Sequence, residues 1–342
     1  MECKEGTKGF LFDLPDDWED KWQGMPEFSQ KDMKPFDSIN VQFRNQEDMS
    51  AFLVMLGESP FRKQTIWYPK MGNLTQSIRN APPTKVAQNR YPIYVPTKGR
   101  WETALTIRSL EKLGLHYFAV IQPQEEEHYR PLVNSGTILL LPEGLDGLVP
   151  ARNWIKDRST AAGDARHWQI DDNIDGFYKL NNNLKVKVID DNPFVDCEDF
   201  SDKFTNVAIS GLQYEFFAAR RSKHPPFLLN TRIYSCSLIN NSIPHRYRDV
   251  YNDDTDICLR VLKDGYCTIL FYAYLCKKMT TMLLKGGNTE IYQGDGRLEM
   301  AESLKRQHPD VVTITKKWGR WQHQVNYAPF KKNRLILKEE EG

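Results

Sequence analysis

Two aspartates stand directly after an apolar run in Gln169-Ile170-Asp171-Asp172-Asn173. Adjacent carboxylates at a strand end repel each other unless a cation or hydrogen-bond donors compensate them. A hard divalent ion is a natural partner, because it takes oxygens from one or two carboxylates and from substrate phosphates. The plainer reading is a solvated turn, where Asp and Asn are common. A second acidic group, Asp253, Asp254 and Asp256, crowds the start of a helix whose apolar positions are Ile257, Cys258, Val261 and Leu262. Helix-end electrostatics account for one or two of these acids. Another is left to act as general base on a hydroxyl, so Asp253 and Asp254 are the catalytic candidates.

Basic and small residues accompany the acids. Val149-Pro150-Ala151-Arg152-Asn153 opens a helix, and its first turn favours an anion. Pro96-Thr97-Lys98-Gly99-Arg100 follows a short apolar run. There the glycine permits close backbone approach, and Lys98 or Arg100 can reach a pyrophosphate. The loop matches neither a Walker loop nor GxGxxG. Gly211 follows Val207–Ser210, and Gly286-Gly287-Asn288 reads as a plain turn. His323 lies between Trp318 and Trp321, where a lone histidine is ordinarily structural. It becomes a third metal ligand only if the end of the chain folds back over the acids.

The elements that must position these residues alternate. Strands are expected at 92–96, 116–121, 137–141 and 167–170, with helices at 101–113, from 125, and at 150–161. This alternation implies βαβ units and a mostly parallel sheet, an α/β fold with ligands at the carboxyl ends of its strands. Residues 1–75 read as a small α+β module, with strands at 38–43 and 64–69 around a helix at 45–56. Residues 76–90 read as a polar linker and 331–342 as a charged tail.

Of 342 residues, 40% are hydrophobic and 12% aromatic, which is enough for a packed core. The 46 basic and 45 acidic residues leave a net charge of +1, so no global attraction to nucleic acid or membrane is expected. The six cysteines form no CxxC pair, which argues against a thiolate zinc site. The absence of a signal peptide or a membrane-spanning apolar run points to a cytoplasmic chain with reduced thiols and no membrane partner.

Taken in order, Val95–Arg100, Arg152-Asn153, Asp171-Asp172-Asn173, Ser210-Gly211, Asp253-Asp254 and His323 resemble the GT-A glycosyltransferases over residues 91–330. The acidic motif departs from strict DxD at Asn173. A closer likeness is to the TET-associated glycosyltransferases of bacteriophages, carried by 94–100, 149–153 and 170–174. That resemblance implies a Rossmann-like GT-A sheet and a UDP-sugar donor held by Pro96, Thr97, Lys98, Arg100, Arg152, Asn153, Asp171 and Gly211. It implies a divalent metal, Mn²⁺ or Mg²⁺, on Asp172, Asp171 and His323, with one of the two aspartates holding the ribose instead. It also implies an acceptor hydroxyl on a hydroxymethylated pyrimidine, such as hydroxymethylcytosine, in phage DNA, in the cytoplasm of an infected bacterium. If the reaction inverts configuration, Asp253 or Asp254 takes the acceptor proton; if it retains it, the same residue orients the acceptor.

Basic clusters at 220–224, 277–278 and 316–321 are candidate DNA contacts, although surface lysines and arginines are ordinarily just solvated. The rivals are a sugar-nucleotide pyrophosphorylase, a metal-dependent nuclease and a non-catalytic phage DNA accessory protein. The short 96–100 loop argues against the first, and the second lacks its usual extra acid or lysine.

Overall fold

The computed structural model describes residues 18–57, 66, 87–279, 296–317 and 319–339. Two helices come first, α1 (Trp18–Lys21) and α2 (Gln46–Met55). Alternating elements follow: β1 (Ile93–Pro96), α3 (Leu105–Leu113), β2 (Phe118–Ile121), α4 (Glu126–Tyr129), β3 (Thr137–Leu140), α5 (Leu148–Ala161) and β4 (Arg166–Ile170). Next are β5 (Ile174–Asn181), β6 (Leu184–Lys187), α6 (Val195–Asp202), β7 (Val207–Tyr214), β8 (Phe227–Leu229) and β9 (Cys236–Asn240). The chain then forms α7 (Asp253–Lys263), β10 (Cys267–Lys278), α8 (Gly296–Gln307) and the hairpin β11 (Val312–Lys317) and β12 (Arg320–Val325).

Ten strands form one sheet in the order β3-β2-β1-β4-β9-β7-β10-β5-β6, with β8 also on β10. Strands β1, β2, β3, β4, β6, β7 and β10 run one way, and β5, β8 and β9 run the other. The α/β, mostly parallel architecture is therefore the observed one. Its direction pattern decides where chemistry can occur. The carboxyl ends of β1, β4, β7 and β10 open on the same side as the amino ends of β5 and β9. Ile170 is in register with Cys236, and Lys278 with Ile174.

Both faces of the central strands are covered, as a parallel sheet requires. Ile93 and Val95 of β1 join the main core with Trp168, Ile170 and Phe177. Tyr94, pointing the other way, meets Val120, Leu141 and the Ala151–Ile155 face of α5. Helix α3 buries Ile107, Leu110 and Leu113 and ends at Gly114, whose φ of 64° suits a residue without a Cβ. It begins at Leu105, four residues later than expected, because Ala104 holds a left-handed φ of 40° that α-helix cannot continue through.

The expected strand at 38–43 is absent, since those residues pair with no neighbour and are largely exposed. The expected strand at 64–69, most of the 76–90 linker and the Gly286-Gly287 turn lie outside the described residues. Residues 18–33 lean on the main sheet. Trp22 packs among Phe200, Phe227 and Phe271, and the backbones of Ser29 and Lys31 bond to Asn181, Asn182 and Asn183. At the other end, Ile336 and Lys338 bond to Thr205 and Lys203, and Asn333 caps carbonyls of Leu262 and Tyr266.

Candidate active site

The loops that open on the shared side of the sheet bring together four aspartates and three cations. Asp171 and Asp172 follow β4, Arg100 follows β1, and Lys278 ends β10. Arg152 projects from the first turns of α5, and Asp253 and Asp254 open α7. Each lies at an element end, where side chains are free of strand packing.

Asp171 is anchored on every side. Its Oδ1 accepts from Arg152 at 3.0 Å, and its Oδ2 accepts from Ser235 at 2.6 Å and lies 3.3 Å from Lys278 Nζ. The backbone is fixed as well, the amide donating to the Ser235 carbonyl and the carbonyl accepting from Thr106. Burial works to raise the Asp171 pKa, but Lys278 and Arg152 outweigh it and hold the carboxyl below its ordinary range. Asp172 faces the other loop. It pairs with Arg100 at 2.5 Å and accepts from Thr97 Oγ1 at 3.0 Å. Burial pushes this carboxyl up to about 6, with Arg100 opposing.

Arg152 is only 2% exposed and is the hub of the cluster. It lies 3.2 Å from one oxygen each of Asp253 and Asp254 and stacks over the Tyr247 ring at 4.8 Å. The contacts to Asp253 and Asp254 are Coulombic and not aligned as hydrogen bonds, so those two carboxylate oxygens are buried without a donor. Burial raises both acids, Asp254 to about 7, despite Arg152 beside them. One guanidinium thus serves three carboxylates, and the sharing leaves Asp254 poised to take a proton near neutrality.

Several expected contacts are placed differently. Asn153 uses both ends of its amide on the Tyr247 backbone, so it fixes the 247 loop against α5. Lys98 points away from the aspartates to Asp146, at 2.7 Å. That pair adjoins an open cleft of about 460 Å³ lined by Gln122, Glu143 and Leu145, at the carboxyl ends of β2 and β3. Pro96 ends β1, and Thr97 joins Tyr129 and Asp172. Gly211 is a correction: it lies inside β7, not in a loop. A Cβ there would come within 2.2 Å of the Cys236 carbonyl, so the glycine serves the close approach of β7 and β9.

His323 is likewise corrected. It sits on β12 opposite Ile314, burial pushes its pKa down to about 4, and the charge facing it is Arg232. No group of three or more His, Cys, Asp or Glu residues suited to a metal exists among the described residues. Both Asp171 oxygens are engaged by Arg152, Lys278 and Ser235, and both Asp172 oxygens by Arg100 and Thr97. The Asn173 Oδ1 is buried without a partner. A divalent cation would fit here only beside Asn173 Oδ1, with Asp172 sharing an oxygen with Arg100 or Thr97 and most ligands coming from a bound diphosphate, and not as a closed protein cage.

Ser235, Tyr214, Tyr247 and Thr106 belong to the site and went unmarked in the sequence reading. Lys278 was noted only as a basic pair with Lys277. Its position after the apolar run 267–276 is the same strand-end signal that marked Asp171.

An α/β sheet with a carboxylate and cation cluster at the carboxyl ends of its strands has its polar groups where such folds bind ligands. The chain belongs to the TET-associated glycosyltransferases, whose family model matches residues 91–287. No curated protein matches the chain. Among solved structures, the glycosyltransferase GlyE of Streptococcus pneumoniae TIGR4 aligns over 64% of this chain and 50% of its own, at 12% identity and a TM-score of 0.31. This chain thus spans about half the length of that structure, and a likeness so distant carries no argument here. Among the described residues no helix is long and apolar enough to cross a membrane.

Proposed function

We propose that this glycosyltransferase moves a sugar from a UDP-sugar to the hydroxyl of a hydroxymethylated pyrimidine in phage DNA, with help from a divalent cation. The observation that carries the donor half of this reading is the convergence of Arg100, Arg152 and Lys278 on Asp171 and Asp172. That geometry supports binding of a diphosphate, whose charge grows as it leaves. The cleft beside Lys98 and Asp146 would take the nucleoside end. Asp172, with Asn173, would hold Mn²⁺ or Mg²⁺, which would offset the charge of the departing diphosphate.

In the reaction the acceptor oxygen forms a bond to the anomeric carbon as the carbon–oxygen bond to UDP breaks. The acceptor proton passes to a carboxylate oxygen of Asp254, and the bonding pair leaves with UDP. Arg152, 3.2 Å away, keeps that carboxylate in place. The buried, free cysteines at 197, 236, 258, 267 and 276 suit a reducing cytoplasm such as that of an infected cell.

The test is release of UDP from a panel of UDP-sugars by wild type and by Asp172→Asn. It is run with Mn²⁺ and with EDTA, with and without DNA carrying 5-hydroxymethylcytosine. The expected result is metal-dependent release, stimulated by the modified DNA and reduced at least about 100-fold in the variant. Release that survives EDTA unchanged would remove the metal from the mechanism. Silence with every donor would remove the UDP-sugar.

A further inference from the structure

A chain of aromatic rings runs from the carboxylate cluster to the surface. Tyr214, the last residue of β7, bonds through its hydroxyl to Ser235 at 2.6 Å and to Lys278 at 3.2 Å, and both of these hold Asp171. Its ring lies nearly parallel to those of Tyr234, Phe216 and Phe217, with centroids 5.9, 5.5 and 6.0 Å away. Phe216 and Phe217 are 4.2 Å apart, and they are 59% and 51% exposed. Large aromatics left uncovered together beside a reaction centre mark a contact surface. Arg220, Arg221 and Lys223 follow within the same exposed segment.

Flat apolar faces next to a run of cations match one chemistry in particular. An unstacked nucleobase offers a π-face to the rings, and its flanking phosphodiesters offer charge to the arginines and lysine. A neutral sugar acceptor would use the rings but would have no use for the cations. A base in duplex DNA would first have to leave the stack, and stacking on Phe216 and Phe217 would offset part of that cost.

We propose that Phe216 and Phe217 are the platform on which the acceptor base stacks, with Arg220, Arg221 and Lys223 tracking the strand beside it. This rests on the DNA-acceptor reading above and names the residues that would select for it. Tyr214 ties the platform to Ser235 and Lys278, which hold Asp171, so the platform adjoins the carboxylate cluster.

The experiment uses the full chain and a short fluorescein-labelled single-stranded DNA with one 5-hydroxymethylcytosine, read by anisotropy. Phe216→Ala and Phe217→Ala are each expected to weaken binding by about 5- to 100-fold. Phe217→Leu, which keeps apolar bulk without a ring, should lose nearly as much. Arg220→Gln should flatten the dependence of log Kd on log salt by about 0.7. UDP affinity, measured by calorimetry, should stay at the wild-type value in all four and so reports intact folding. If both alanine variants bind the DNA as wild type does, the platform is wrong while the DNA reading survives. If wild type itself does not bind the oligonucleotide, both fall. Loss of binding to an oligosaccharide, with DNA binding unchanged, would reassign the rings to a carbohydrate acceptor.

Discussion

Asp254 carries the sharpest consequence at the scale of a single residue. Burial pushes its carboxyl to about 7, with Arg152 opposing and Asp253 and Asp171 adding to the rise. In the unfolded chain the same group titrates near about 3.9. Between those values the folded protein binds more protons than the unfolded one, so stability is full below about pH 4 and falls as pH climbs toward about 7. Asp172 and Asp253 act in the same direction. Asp256, held at about 2 by His308, Arg248 and Arg260 against its burial, acts in the opposite one. Its contribution is present above the unfolded value and is lost as pH falls toward about 2. Buried histidines held down near about 4, His167, His224 and His323, act in the opposite direction over the same window. The readout is therefore a difference: the melting temperature of the ligand-free wild type minus that of Asp254→Asn should decline from about pH 4 to about 7. The same ionisation arms the base. The rate of transfer at saturating donor and acceptor should rise through about pH 7 and level off above it. A rate already flat from mild acid upward would mean that a different, ordinary carboxylate takes the proton.

At the scale of elements, the clearest lesson comes from which strand ends could be recognised. Asp171, Asp172 and Thr97 were legible because each follows a short apolar run that reads as a buried strand, and β1 and β4 are parallel neighbours. Ser235 and Tyr214 were not. They reach Asp171 only because β9 inserts, antiparallel, between β4 and β7, and no local pattern encodes that sheet order. The alternation at 38–43 looked like a strand but has no partner, and alternation without pairing is only an exposed segment. Gly211 was expected after a strand, as a donor contact that the resemblance implied, but it lies within β7. Its missing side chain makes room for the Cys236 carbonyl and for Ile233 Cγ2, 2.2 and 2.4 Å from where a Cβ would stand. The Cys236 carbonyl is sheet backbone and cannot swing aside as a flexible side chain would, and Ile233, just before β9, is 1% exposed and packed in the core. Gly211→Ala should force β7 and β9 apart and cost at least about 1–3 kcal/mol in urea denaturation. Because Ser235 lies just before β9, the UDP affinity should also weaken. A variant as stable as wild type would show that the two strands tolerate a wider gap.

Across the whole molecule, the question is where the catalytic body begins. Alternation and amphipathic patterning suggested a separate unit over residues 1–75, yet Trp22 is 6% exposed and belongs to the main core. Its ring centroid lies 5.0 Å from that of Phe200, 5.8 Å from Phe227 and 6.4 Å from Phe271. Those three phenylalanines come from α6, β8 and β10, so one side chain from the N-terminal segment closes a seam between a helix and two strands. The indole also donates to the Pro26 carbonyl at 2.8 Å, and the chain then reaches the β5–β6 turn through Ser29. Removing the ring would open a cavity lined by rigid aromatics that cannot collapse into it. Trp22→Ala should therefore cost about 3–5 kcal/mol, as for large aromatics removed from cores. Val54→Ala, on the exposed side of α2, should cost no more than about 0.5 kcal/mol. Comparing the two by urea denaturation separates a general role for the N-terminal region from the specific one of its first segment. Cutting the chain after residue 35 should expose Phe200, Phe227 and Phe271 and yield aggregated protein. A truncated chain that stays monomeric in size-exclusion chromatography and binds UDP normally would place the start of the catalytic body beyond that cut and make Trp22 an ornament of the core.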